Sequence, residues 1–344
     1  MVNPTADPIP TDSIPTDPTG TDPVTTDSTT TELIPTEPIP VDTTTNSVPS
    51  PNPVPNPPSS ARKVVYIDSS AHGVPTGADF SVPGYADNAY NIIVICFWLD
   101  NAVYDMANNW MNLDERTRQE YLNAYHQAGK IVLVSAFGST EFPTTGHGVD
   151  PVTSANNIAD FAIKYGFDGV DVDYEDNPAM NQGIGEDWVI TYTRTLRSRL
   201  PYPYIISHAP QAPYFINDKR YYPSGAYLRI DQAVGDLIDF YNVQYYNQGN
   251  TAYDTCETLF YASGGVFPGT SVFEIAANGV PLNKIVIGKP ITRAGVVNTG
   301  FMEAVDMAAC IADARGNGWN AGVMGWQYGL DPSFQWISTL NSVL

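Results

Sequence analysis

Positive charge is scarce in this sequence. Its 344 residues include 16 Lys and Arg against 37 Asp and Glu, a formal net charge of −21. Such acidity repels phosphate backbones and anionic headgroups, which argues against nucleic acid and membrane as partners. It fits a neutral polysaccharide or glycan. No run reaches the ~18 apolar residues that a membrane span needs. Cysteine is rare: Cys96, Cys256 and Cys310 make up the full set. Cys96 lies in the apolar run 91–98, where a buried free thiol is expected. Cys256 and Cys310 pair only if their elements are neighbours, and an odd count fixes no redox compartment. The His/Cys spacing of a zinc site is missing, and so is a phosphate loop. We therefore expect no metal and no organic cofactor. The opening Met1-Val2-Asn3-Pro4 has no apolar leader, so a mature or trimmed form with an added Met is expected.

No Lys or Arg precedes Arg62, and that absence marks off a separate segment, residues 1–60. Within it an acidic residue recurs at every fifth position: Asp7, Asp12, Asp17, Asp22, Asp27, Glu32, Glu37 and Asp42. Thr precedes most of them, Pro fills the spaces, and a proline-rich tract follows. Such a composition cannot bury a core. It predicts a disordered, locally polyproline-like chain that serves as a linker or cell-wall spacer. Thr and Ser with Pro also suit an O-glycosylated extracellular stalk.

From residue 61 to 344 the pattern changes. Apolar stretches at 63–68, 91–99, 130–137, 169–175, 204–209, 240–247, 284–290 and Gly322–Trp326 read as eight strands. Helix-period stretches fall between them, for example at 114–128, 155–165, 186–200 and 302–315, and a short helix at 332–343 closes the chain. Eight strands alternating with helices predict a (β/α)8 TIM barrel, with chemistry at the C-terminal strand ends. A doubly wound open sheet is the alternative. It lacks the Gly-rich turn expected after the first strand, which runs on as Asp68-Ser69-Ser70-Ala71.

The fourth strand carries the densest signal, Asp168-Gly169-Val170-Asp171-Val172-Asp173-Tyr174-Glu175. Alternation puts Val170, Val172 and Tyr174 on one face and Asp171, Asp173 and Glu175 on the other. Like charges this close cannot all ionise freely, so at least one pKa must rise. An acidic edge strand facing water is the plain alternative, but the apolar opposite face speaks against it. A hard-cation site is another, but alternate strand positions step about 6.6 Å apart and would need oxygens from other loops.

D-G-x-D-x-D-x-E resembles the signature of glycoside hydrolase family 18, the chitinases and their relatives. The likeness covers residues 63–344. It implies that Glu175 protonates the leaving glycosidic oxygen. The substrate's own 2-acetamido carbonyl then attacks the anomeric carbon, an exception to the two-carboxylate scheme. It implies that Asp173 holds the acetamido nitrogen, that Asp171 shares a proton with Asp173, and that Tyr246 of Gln244-Tyr245-Tyr246-Asn247 supports the acetamido carbonyl. Tyr245 is expected to point the opposite way. Trp326 is similar to the family's aromatic floor for the reacting sugar, with Gln327 and Tyr328 on the same wall. Gln244, Asn247, Gln211 and His208 are expected at the sugar or the acidic cluster, with Tyr214 and Phe215 on the aglycone side. Strand one offers Tyr66 and Asp68 as supports, and Arg293 is expected to be a solvated loop residue. Ser135-Ala136-Phe137-Gly138 departs from the family's S-x-G-G: Ser135 and Gly138 fit, whereas Phe137 replaces a glycine and is expected to crowd the mouth or redirect a loop.

The resemblance implies a secreted, monomeric, retaining endo-glycosidase acting on β-1,4-linked N-acetylglucosamine polymers, a chitinase, with cell-wall association compatible. Phe137 motivates a second reading, an endo-β-N-acetylglucosaminidase acting on N-glycan chitobiose cores. A third is a non-catalytic chitin-binding lectin on the same barrel.

Overall fold

The computed structural model describes residues 61–68 and 88–344, with Pro55 and Phe80 besides. The segment 1–60, expected to be disordered, lies outside the described residues apart from Pro55.

Eight parallel strands close into a barrel in chain order. They are β1 (Arg62–Ile67), β2 (Ile92–Trp98), β3 (Ile131–Phe137), β4 (Gly169–Asp173), β5 (Ile205–His208), β6 (Phe240–Gln244), β7 (Ile285–Pro290) and β8 (Gly322–Trp326). Closure comes from β8 pairing back onto β1, with Arg62 opposite Gly322 and Val65 opposite Gly325. All eight expected strands are present, and the open-sheet alternative is excluded. Near-continuous Val and Ile runs suit strands covered on both faces; every residue of β3 is buried.

Nine α-helices are found among the described residues: α1 (Asp105–Asn112), α2 (Glu115–Gln127), α3 (Pro151–Tyr165), α4 (Asn177–Gln182), α5 (Gly185–Arg199), α6 (Ala226–Val234), α7 (Val272–Ala277), α8 (Ala304–Gly316) and α9 (Gln335–Asn341). Their ends follow local chemistry. Asp114 accepts from Thr117 N to cap α2. Asp150 caps α3, Pro151 occupies its first turn, and left-handed Gly166 ends it, the usual asymmetry of helix termini. At the start of β4 the chains approach so closely that a Cβ on Gly169 would lie 2.0 Å from Ile205 O. This is why the signature opens on glycine.

Cys256 and Cys310 form a disulfide that joins the turn before Glu257–Tyr261 to α8. Cys96 is a buried free thiol, as its apolar run predicts. None of the described helices is long and apolar enough to cross a membrane.

Several strands are shorter than expected, and at two of them the difference matters. β4 ends at Asp173 and β6 at Gln244. Glu175, Tyr246 and Asn247 therefore stand just past the strands, on the loops that form the barrel mouth.

Candidate active site

The alternation of β4 is realised in three dimensions. Val170 and Val172 are buried, and Tyr174 packs its ring 5.8 Å from that of Trp188. The opposite face carries three carboxyls at increasing height, each with its own donors.

Asp171 lies deepest and is fully buried. Its Oδ1 accepts from Ser207 Oγ at 2.6 Å, and its Oδ2 accepts from Tyr66 OH at 2.7 Å and Ser135 Oγ at 2.9 Å. Asn242 Nδ2 donates at 3.3 Å to Oδ1 and at 3.2 Å to Tyr66 OH. Burial pushes this carboxyl up, and the four donors pull against that. Asp173 sits above it, with Gln244 Nε2 donating to Oδ1 at 2.9 Å. Its pKa is held well above the usual carboxylate range, first by burial and then by the charges of Glu175 and Asp171. Glu175 is half-buried at the mouth. Gln211 Nε2 donates to Oε2 at 3.0 Å, and Gln244 Nε2 approaches Oε1 at 3.5 Å. Burial raises its pKa, and the two amides oppose the rise. A carboxyl kept protonated toward neutral pH beside an open cleft is the requirement for a general acid.

Asp173 and Glu175 open into a cavity of about 550 Å3 whose walls include Gln211, Gln244, Tyr246, Asn247 and Trp326. Tyr246 is almost fully buried. Burial first, then the Asp173 and Glu175 charges, push its phenol well up, so it stays a donor. The Trp326 ring lies 5.8 Å from that of Tyr66 and 6.4 Å from that of Phe97. It presents a flat half-buried surface, the kind on which the apolar face of a sugar ring packs. Asp68 also lines the cavity.

Several expected residues do other work. Tyr66, expected as a support, and Ser135 are both buried below the cleft, where they hold Asp171 rather than a sugar. His208 belongs to the outer wall. Its Nδ1 pairs with Tyr227 OH at 3.2 Å and its Nε2 with Thr193 Oγ1 at 3.3 Å, and burial drives its pKa down to about 3. It is a neutral packing residue remote from the sugar. Asn247 lines the cavity, but its Oδ1 accepts from Val297 N at 2.8 Å and so ties down the loop after β7. Tyr214 and Phe215 are fully buried, with rings 5.9 and 5.7 Å from Tyr227, so neither reaches an aglycone. Gln327 and Tyr328 do not line the cavity; Tyr328 packs on Phe334. Tyr245 points away from the cleft, against Tyr253 at 5.1 Å, as expected. Arg293 lies over the Phe301 ring in the loop after β7.

Phe137 is the clearest correction. Its backbone has φ 77, and its side chain is fully buried. The ring lies 6.4 Å from Trp98, 5.7 Å from Trp188 and 5.4 Å from Tyr192, in the layer between barrel and helices. The left-handed turn seats the ring in that layer, so the residue lines the cavity without projecting into it. Next to it, a Cβ on Gly138 would come within 3.1 Å of the Phe97 ring.

Phe97 itself was missed. It is the penultimate residue of β2, half-buried among buried ones, and lines the cavity beside Trp326. The available signal was an aromatic at a strand end. Asp105 and Asn298 also line the cavity, and they belong to no motif.

No family model matches the chain. Among curated proteins it is similar to Exochitinase 1 of Streptomyces olivaceoviridis, 26% identical over a region covering 55% of this chain and 37% of that protein. It is also similar to Endochitinase 37 of Trichoderma harzianum, 28% identical over 78% of this chain and 85% of that protein. The chain thus spans little more than a third of the first relative's length. Among solved structures, a GH18 chitinase from Pseudoalteromonas aurantia superposes with a TM-score of 0.67 at 24% identity, covering 83% of this chain and 100% of that one. At that identity the likeness is one of fold. The barrel fold read from the sequence is thus shared with a solved family 18 chitinase.

Proposed function

Taking that family 18 fold as the premise, we propose that the chain is a chitinase-like glycoside hydrolase that cleaves β-1,4 links between N-acetylglucosamine units, with Glu175 as general acid and base. The observation that carries this reading is the carboxyl stack. Asp171, Asp173 and Glu175 rise from buried to half-buried, and the outermost meets a cavity walled by Tyr246 and Trp326.

The mechanism follows from the donors present. The reacting sugar lies over Trp326 with its glycosidic oxygen at Glu175. Proton transfer from Glu175 to that oxygen breaks the C1–O bond as the sugar's acetamido carbonyl oxygen bonds to C1. Asp173, once the proton it shares has passed to Asp171, accepts from the acetamido N–H, and its charge then stabilises the oxazolinium ring. Tyr246 OH, held protonated, donates to the acetamido oxygen and orients it. Water then attacks C1, Glu175 takes back a proton, the ring opens, and configuration is retained. The protein supplies position and electrostatics, and the substrate supplies the nucleophile.

Substitution Glu175→Gln, assayed on an N-acetylglucosamine oligosaccharide with a chromogenic leaving group, is expected to lower kcat at least roughly a thousandfold with little change in KM. Undiminished turnover removes the assignment. The N-glycan alternative rested on Phe137 crowding the mouth, and a ring buried in the cavity wall gives it no specific support. The lectin alternative is disfavoured because the acid is present and hydrogen-bonded at the cleft. The Cys256–Cys310 disulfide supports a secreted, extracellular location.

A further inference from the structure

Lys289 lies one residue before the end of β7 and is fully buried. An ammonium has three N–H donors. Three backbone carbonyls take them: Tyr245 O at 2.9 Å, Tyr253 O at 2.5 Å and Gly300 O at 3.0 Å. The first two belong to the loop after β6 and the third to the loop after β7. No carboxylate is among these hydrogen-bond partners. Burial accordingly pushes the ammonium down to about 7, with the Asp254 charge opposing. An apolar side chain would fill the same space without that desolvation. What the lysine adds is the set of three ties.

Those ties converge on one residue of the cleft. Tyr245 O belongs to the peptide that leads directly into Tyr246. Gly300 presses on the same place: a Cβ there would lie 2.4 Å from Tyr246 Cα and 2.6 Å from Tyr245 O. Beyond Tyr246, Asn247 N donates to Thr299 O at 2.8 Å, and its side chain holds Val297 N. Tyr246 is thus clamped between two loops, and the Lys289 ammonium bonds to both. Removing it leaves three carbonyls without this donor, each a buried polar group with reason to move.

We propose that Lys289 is a positioning residue of the active site, its ammonium locking the loops after β6 and β7 together so that Tyr246 is held in the cleft facing Asp173 and Glu175. The assignment rests on the role given to Tyr246 above, and it concerns a side chain that never touches the substrate.

Two measurements test it. The first is a double-mutant cycle with Lys289→Met and Tyr246→Phe, read as kcat on an N-acetylglucosamine oligosaccharide. Lys289→Met is expected to lower kcat roughly tenfold in the native background and less than about twofold in the Tyr246→Phe background, with KM changed less than kcat. Equal factors in the two backgrounds, or no loss at all, overturn the proposal. Where Lys289→Met does not fold, Lys289→Gln keeps two N–H donors and carries the same cycle with roughly a threefold expected loss. The second measurement needs no activity. Amide hydrogen exchange across residues 245–253 and 298–301 is expected to rise roughly tenfold in the lysine variant while β3 exchanges as before. Unchanged exchange overturns the proposal. A wild-type chain that does not hydrolyse the oligosaccharide, or a fully active Glu175→Gln, sinks the proposed function instead, and the exchange result still decides the role of Lys289.

Discussion

Gln211 Nε2 donates to Glu175 Oε2 at 3.0 Å, and this contact helps set the pH at which the acid loses its proton. Burial raises the Glu175 pKa, and the Gln211 and Gln244 amides pull it down. Gln211→Leu removes one of the opposing donors. The alkaline limb of the kcat profile is expected to move to higher pH, while the maximum falls several-fold as the carboxyl loses its orientation. A limb that stays in place or moves down shows that another group titrates there.

Asp171, Asp173 and Glu175 all have raised pKa values in the folded chain, and Asp173 stands furthest from the usual range. A raised carboxyl keeps its proton in the fold after the unfolded chain has lost it. Its contribution to stability is therefore full below the unfolded value, about 4, and is lost as pH rises through the folded value. Asp173→Asn takes the group least suited to its site out of this balance. Tm is expected to rise by roughly a few degrees at pH 7, and the gap should close toward pH 4. Turnover should fall by about a hundredfold or more. Melting curves at the two pH values provide the check; a gap that widens on acidification contradicts the argument.

The Phe137 ring packs against Trp98, Trp188 and Tyr192, and the residue forms part of the cavity wall without projecting into it. Phe137→Ala is expected to cost about 3–5 kcal/mol in stability, the range for an aromatic truncation in a core. The ratio of rates on chitin oligosaccharides and on a high-mannose glycoprotein should not change. Denaturant titration reads the first quantity and paired assays the second. A shifted ratio means that the ring influences substrate choice after all.

The Cys256–Cys310 bridge closes a loop with a sequence separation of 54. Chain-entropy reasoning puts its contribution at about 4 kcal/mol. Replacing both cysteines by serine should lower Tm by roughly 8 °C without changing kcat, because the bridge lies outside the cavity walls. A reducing agent should reproduce the shift in the native chain.

The strands and most helices were readable because a closed parallel barrel buries both faces of its sheet, which leaves near-continuous Val and Ile runs such as Ile92–Trp98. The carboxyl stack was readable because a two-residue period turns directly into one face of β4. What escaped was whatever depended on orientation at a strand end. Phe137 sits in a motif position, and only its left-handed backbone reveals that its ring turns outward. His208 lies at the end of β5, where one further residue decides between cleft and outer wall. Tyr66 and Ser135 were found, but not what they hold. Their partner Asp171 is 105 and 36 residues away, and no local pattern encodes that pairing. Lys289 carries no signal at all in a sequence, because its acceptors are backbone carbonyls.

The junction of β1 with β8 has a consequence for synthesis of the chain. Arg62 through Val65 find their second row of partners only in Gly322 through Gly325, 260 residues further along the chain. During translation the first strand must wait, with one edge unpaired, until β8 has emerged. A chain truncated by even its last few dozen residues would keep every group of the cleft except the Trp326 platform, yet it would expose a bare sheet edge on each side of the gap. Such a product is open to aggregation and proteolysis, so closure of the barrel is a condition the chain must meet before any catalysis.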